Sequence, residues 1–319
     1  MKLLITGGAG FIGSHTADFA LSMGMEVVVV DSFRSGKEEF VDPKCIVYKA
    51  DIAGKELRDI FESERPDYCI HLAEQTDGDE LLARGLNPNL GGLIHLLDMC
   101  REFPVKKLVY GSSANVYGAT ELIPVNESFR CAPLSGSARA KLTSEEYIKQ
   151  YGALYGIPFT ILRYANVYGF RQNSFGDGSV ISEIMETYTN GERPVIYGKG
   201  MQARDFVYVT DVAAANIQAL SIGGGQTYNI GTGRSIRVID LLNMMNEMME
   251  QKKTPAYMPS RPEDHIHYCI SYRKAEEEFG WRPKIHLKEG LTQLLGDFIY
   301  RRFMDNHKLP SAPPKQDAV

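Results

Sequence analysis

The first half of the chain alternates two hydrophobic patterns. Short runs, KLLIT (2–6), EVVVV (26–30), CIVYKA (45–50), YCIHLA (68–73) and KLVYGSS (107–113), are rich in aliphatic and β-branched residues almost throughout. Such continuity marks strands buried on both faces, as in a parallel sheet. Between them, stretches such as 12–23, 54–63 and 89–102 have helical periodicity and the length a βαβ crossover requires. The repetition predicts an α/β fold built on a doubly wound parallel sheet. Beyond about residue 165 the pattern loosens into Gly-, Asn- and Pro-rich loops with short strands and helices. This predicts a sheet domain of residues 1–165 with returning segments near 205–232, and a smaller C-terminal lobe of 166–204 and 233–304. Residues 305–319, Pro-rich and polar, read as a disordered tail.

Composition narrows the function classes. At 319 residues there is room for one large domain or two that share a core. A net charge of −5 gives no reason to expect nucleic acid or an anionic membrane as partner. No apolar run approaches the ~20 residues of a membrane helix. The start, MKLLITGGAG, reads as a strand entering a turn rather than as a signal peptide. Five scattered cysteines without CxxC spacing indicate neither a zinc site nor a disulfide framework, so a reducing, cytoplasmic setting is expected.

Chemistry enters at ITGGAGFIGSH (5–15), where Gly7, Gly10 and Gly13 space a turn between the first strand and a helix. The first two glycines let backbone turn sharply and approach a pyrophosphate. The third lets helix pack on strand, and the helix N-terminus offers free N–H groups to the anion. Asp31 ends the second strand eighteen residues beyond Gly13, where a carboxylate accepts from ribose hydroxyls and repels a 2′-phosphate. The expectation is a Rossmann-type domain that binds NAD rather than NADP.

With VDSFRSGK (30–37), this segment resembles the extended short-chain dehydrogenase/reductase family, the NAD-dependent epimerases and dehydratases of nucleotide sugars in particular. The resemblance runs from Met1 to about Trp281. It implies cofactor contacts from Phe11 and Ile12 in the glycine turn, from Asp51 and Ile52 in ADI, and from Leu72, Ala73 and Gln75 in HLAEQ. It implies further contacts from Asn89, which opens NLGGLIHLLDMC, and from Tyr164 in LRYANVYG, with Asn166 approaching the sugar. On the substrate side it implies diphosphate binding by Arg204 in QARDFVYVTDV and by Arg261 with Asp264 in SRPEDHIHYCIS, guanidinium being suited to bidentate phosphate contacts. A surface ion pair of Arg204 with Asp205 or Asp211 is the plainer alternative.

The catalytic reading rests on GSSANVYG (111–118) and PLSGSARAKL (133–142). By resemblance, Ser113 is the hydroxyl that binds the sugar oxygen and Lys141 binds the nicotinamide ribose. The two positions after Ser113 separate subclasses, and Ala114 and Asn115 carry none of the carboxylates of dehydratases and decarboxylases. A tyrosine is expected four residues before the lysine, one helical turn away on the same face, with its phenol pKa lowered by the cation. Here that residue is Ser137. Losing a positioned acid/base costs about 10²–10⁴-fold. Four outcomes stay open: Ser137 with a water relay, Lys141 as base, a group from elsewhere (Tyr117, Tyr168 or Glu74), or a site that binds without much turnover. Glu74 stands where the family usually has Ala and reads more plainly as a solvated loop carboxylate. The segment between Gln75 and Asn89 is about four residues shorter than the resemblance leads one to expect.

Other features have bland readings. Methionines at helical spacing in LLNMMNEMMEQKK (241–253) suit a core, His95 suits a structural role, and His265 and His267 lack the further ligands of a metal site, so none is expected. The leading expectation is an epimerase that uses NAD and passes through a 4-keto sugar on a UDP-hexose-like substrate. The alternatives are a 4-dehydrogenase that releases the keto sugar and a catalytically weakened binding protein. The resemblance implies a homodimer packed through helices 89–102 and 137–155.

Overall fold

Residues 1–74, 88–120, 124–172, 180–222, 224–260 and 269–306 are described by the computed structural model, 88, 189 and 298–306 as backbone only. The apolar runs assemble side by side: β1 (Lys2–Thr6), β2 (Glu26–Asp31), β3 (Ile46–Lys49), β4 (Tyr68–His71), β5 (Lys107–Ser113) and β6 (Phe159–Tyr164). A seventh strand, β7 (Gln226–Ile230), returns to pair with β6, giving the order β7-β6-β5-β4-β1-β2-β3. Every pairing in this sheet is parallel. The expected Rossmann-type architecture is therefore present.

Successive residues of one strand feed opposite faces, which is why the runs are apolar at nearly every position. Leu3, Ile5, Val27, Val29 and Val109 enter one buried cluster, with α1 (Phe11–Ser22) contributing Ala17 and Ala20. Leu4, Val28, Val30, Cys69 and Leu108 enter the other, where α3 (Pro88–Glu102) contributes Leu93, Leu96 and Leu97. A third cluster lies in the later segments. It joins Ile181, Ile184 and Met185 of α5 (Val180–Asn190) to Leu241, Leu242 and Met245 of α7 (Val238–Met248). The methionine run is thus core. Ile270, Ala275 and Trp281 pack with the first sheet cluster instead, although they lie in the stretch the loosened pattern assigns to the lobe.

The helix that carries Lys141, α4 (Gly136–Tyr155), begins inside PLSGSARAKL. Ser135 Oγ accepts from the Ala138 amide at 3.1 Å as its N-cap, an arrangement worth about 1 kcal/mol. Gly156, at φ 70°, ends it in the left-handed region that favours glycine.

Candidate active site

The strand order places a topological switch between β1 and β4. From β1 the chain builds outward through β2 and β3, whereas β4 leads the other way through β5, β6 and β7. Ligands of such sheets bind beyond the carboxyl ends of the strands at this crevice. The glycine turn lies there. Gly7 has φ 72°, and a Cβ on it would meet the Ala73 amide nitrogen at 2.6 Å. A Cβ on Gly13 would stand 2.0 Å from the Gly7 carbonyl oxygen, and one on Gly10 3.2 Å from the same atom. No side chain caps α1 at Gly10, which leaves the first N–H groups of Phe11, Ile12 and Gly13 available to an anion. Any β-carbon at Gly7 or Gly13 would close the turn, so the cradle fits a dinucleotide pyrophosphate.

Asp31 is buried at the end of β2. Its Oδ2 accepts from the Ala9 amide at 2.9 Å and its Oδ1 from the Phe33 amide at 2.8 Å, so it ties the glycine turn to the next loop. Each oxygen keeps a further lone pair for a ribose hydroxyl. Asp51 accepts from the Ala53 amide and pairs with Arg34 at 3.2 Å. The Ile52 side chain lies where a Cβ on Gly92 would be, and the Ile52 carbonyl accepts from His95 Nδ1 at 2.9 Å, giving His95 its structural role. Leu72 and Ala73 line the β1 side of the crevice: the Leu72 amide donates to the Thr6 carbonyl, and Ala73 abuts Gly7. Asn89 is half-buried near the start of α3.

Across the switch, β5 ends in Ser113, whose Oγ accepts from the Asn115 amide at 3.1 Å and keeps its own proton to donate. Lys141 reaches the same strand: Nζ donates to the Gly111 carbonyl at 2.8 Å and lies 5.2 Å from the centre of the Tyr110 ring. Its third partner is Glu74, with Nζ 2.8 Å from Oε2. Burial alone would lower the proton affinity of Lys141, but Glu74 and then Tyr110 outweigh it, and the lysine is held above its ordinary value. The reading of Glu74 as a solvated loop carboxylate is therefore corrected, because it is mostly covered and in ionic contact with the lysine. Ser137 is half-buried in the first turn of α4 and makes no side-chain hydrogen bond among the described residues.

Beneath this group lies a buried polar layer that sequence reasoning missed. Ser112 Oγ donates to Glu145 Oε1 at 2.6 Å, and Arg163 binds both Glu145 oxygens, Nε at 2.9 Å and Nη2 at 2.6 Å. The Arg163 guanidinium lies 4.8 Å from the Tyr117 ring centre, and Tyr117 donates to Asn229 at 2.7 Å. Two signals point to this layer: Arg163 is the one charged residue of β6, and Glu145 stands four residues after Lys141, one turn further along the same side of α4.

The remaining expected residues are dispersed. The Tyr164 hydroxyl is buried and donates to Asn216 Oδ1 at 2.6 Å, with Asn216 bonded in turn to Thr16, so this phenol serves the core. Asn166 is half-buried, and its amide donates to the Asp205 carbonyl. Arg204, half-buried, lies on a two-residue strand paired with Ile236–Arg237. Asp205 and Asp211 are committed to backbone: Asp205 accepts from the amides of Thr232, Gly233 and Ile270, and Asp211 from those of Lys284 and Ile285. Gln75, Arg261, Asp264, His265 and His267, with most of the shortened loop, lie outside the described residues.

Comparison with known proteins agrees with this geometry. Over 95% of its length the chain superposes on a UDP-glucose 4-epimerase from Thermotoga maritima solved with UDP-glucose, covering all of that chain at 36% identity and a TM-score of 0.90. A Thermus thermophilus UDP-glucose 4-epimerase in complex with NAD gives 34% identity, 94% and 99% coverage and a TM-score of 0.88. The UDP-glucose 4-epimerase of Mycolicibacterium smegmatis is 31% identical over 312 residues, 93% of this chain and 98% of that protein. Residues 3–231 match the model of the NAD dependent epimerase/dehydratase family. With its glycine cradle at the switch point and relatives matched almost end to end, the chain belongs to the NAD-dependent epimerase/dehydratase family.

Proposed function

We propose that the protein is a cytoplasmic, homodimeric nucleotide-sugar 4-epimerase that uses NAD and acts on a UDP-hexose through a 4-keto sugar. The observation that carries this reading is the meeting of the Gly7–Gly13 cradle, Ser113 and Lys141 around one crevice, in a chain matched almost end to end by UDP-glucose 4-epimerases. NAD, the cofactor of the family, supplies a reversible hydride acceptor.

The chain's own groups divide the remaining work. Phe11, Ile12 and Gly13 present amides to the pyrophosphate, and Asp31 accepts from the adenosine ribose. Lys141, kept protonated, offers its remaining hydrogen-bonding capacity to the nicotinamide ribose. Ser113 donates to the sugar oxygen that becomes the carbonyl, stabilising the charge that gathers there. Arg204 and Arg261 bind the diphosphate. The dimer reading follows the family resemblance and would engage α3 and α4, where Leu154 is 72% exposed near the α4 end.

The test is incubation with NAD and a panel of UDP-hexoses, following C4 isomers and deuterium at C4. Interconverted C4 isomers support the reading. A free keto sugar with accumulating reduced cofactor would instead identify a 4-dehydrogenase, and tight binding with no change at 340 nm a binding protein.

A further inference from the structure

Epimerisation through a ketone needs a group that takes the proton of the sugar hydroxyl while hydride leaves its carbon. The inference drawn here rests on that reading. Around the carboxyl ends of β4 and β5 most of the described ionisable side chains are committed to other partners. Lys141 is an ammonium committed to Glu74 and Gly111, so it is a cation rather than a base. His71 is 3% exposed, stacked on Tyr110 and bonded to Thr6 Oγ1 through Nδ1 at 2.6 Å. Burial first, and then Lys141, push it down to about 3, leaving a very weak base. Tyr110 is buried in the core beneath α4, and burial raises it. Tyr117 donates to Asn229 and Tyr164 to Asn216, while Tyr168 donates at 3.3 Å to the Leu287 carbonyl in the lobe. Glu145 is enclosed by Arg163 and Ser112. Among the carboxylates described at these two strand ends, Glu74 remains.

We propose that Glu74 is the proton acceptor of this site, positioned by Lys141. Glu74 immediately follows Ala73, which abuts the Gly7 turn, and its Oε2 is fixed 2.8 Å from Lys141 Nζ beside the end of β5. Its side chain is 27% exposed, open enough to meet a ligand, and Oε1 has no partner among the described residues. In the forward step the sugar O–H bond breaks and its proton goes to Glu74. The O–H electron pair would become the second bond of the C4 carbonyl as the C4–H pair leaves as hydride, for which a bound NAD would supply the acceptor. In the return step the carbonyl carbon takes hydride on its other face, and its oxygen takes the proton back from Glu74. Proton uptake by Glu74 would offset the positive charge that a bound NAD gives up, so the net charge of the site would stay constant. Ser137, an aliphatic hydroxyl, need not ionise at all.

The experiment compares wild type with Glu74→Gln and Glu74→Ala as full-length proteins whose thermal midpoints show that they fold. NAD affinity is read by calorimetry and hydride transfer from UDP-glucose by single-turnover absorbance at 340 nm. NAD affinity is expected to stay within about threefold of wild type while transfer slows by about 10²–10⁴-fold. Added formate restores transfer in Glu74→Ala but not in Glu74→Gln, where the amide fills the space. Transfer undiminished in Glu74→Gln would overturn the proposal, and so would NAD affinity falling by the same factor as the rate. A wild type that passes hydride from no UDP-hexose overturns the epimerase reading and this inference with it. Wild-type activity that survives Glu74→Gln overturns the inference alone.

Discussion

Glu145 and Arg163 form a doubly hydrogen-bonded ion pair directly beneath the strand that ends in Ser113, their side chains 0% and 5% exposed. Ser112 donates to the same carboxylate, so the pair joins α4, β5 and β6 under the site. Removing one member of a buried pair strands the other charge, at a cost of about 3–5 kcal/mol. Glu145→Gln is therefore expected to lower unfolding stability by that order in urea titrations. Replacing both residues by apolar side chains of similar volume is expected to cost much less than the single change.

The glycine cradle makes a graded prediction. A methyl group at Gly13 would stand 2.0 Å from the Gly7 carbonyl oxygen, a backbone atom that cannot yield without opening the turn. The same group at Gly10 meets that oxygen at 3.2 Å. Gly13→Ala is expected to weaken NAD binding, read by calorimetry, by well over tenfold, which is more than about 1.4 kcal/mol. Gly10→Ala is expected to weaken it less.

Asp205 predicts a pH dependence. Burial raises its carboxyl from 3.8 to about 6, against the hydrogen bonds from Thr232, Ile270 and Gly233 that act to lower it. A folded-state value above the unfolded one means that the native state binds more protons between about pH 4 and pH 6. Asp205 thus adds stability that is fully present below pH 4 and lost as pH rises through 6. Two units correspond to about 3 kcal/mol. The urea stability of wild type minus that of Asp205→Asn should fall by up to that order from pH 4 to pH 7. A flat difference would show that the carboxyl titrates normally.

Ser137 and Glu74 predict a coupled pair of substitutions. A phenol at position 137 would stand one helical turn before Lys141, but the charge that would help it ionise is committed to Glu74. Ser137→Tyr alone is expected to change hydride transfer little. In the Glu74→Ala background it is expected to raise transfer by about tenfold or more, a non-additivity that a double-mutant cycle reads directly.

Much of the fold was legible because it rests on local rules. Runs apolar at nearly every position announced strands covered on both faces, and residues such as Leu3 and Leu4 do enter opposite clusters. Gly7 and Gly13 were legible because no other residue type fits beside the Ala73 amide and the Gly7 carbonyl. Tyr164 was harder to place: its motif pointed to the cofactor, yet its hydroxyl is turned to Asn216, a partner more than fifty residues away.

By itself the sequence determined the strand and helix periods, the glycine turn and the spacing of Ser113, Ser137 and Lys141, since periodicity and backbone sterics act over a few neighbouring residues. Only the tertiary structure decided which charges meet. It brought Glu74 from the end of β4 onto Lys141 of α4, and it closed Glu145 on Arg163 beneath Ser112. The physical reason is that an ion pair depends on distance and burial, and both are set by how strands and helices distant in sequence pack together.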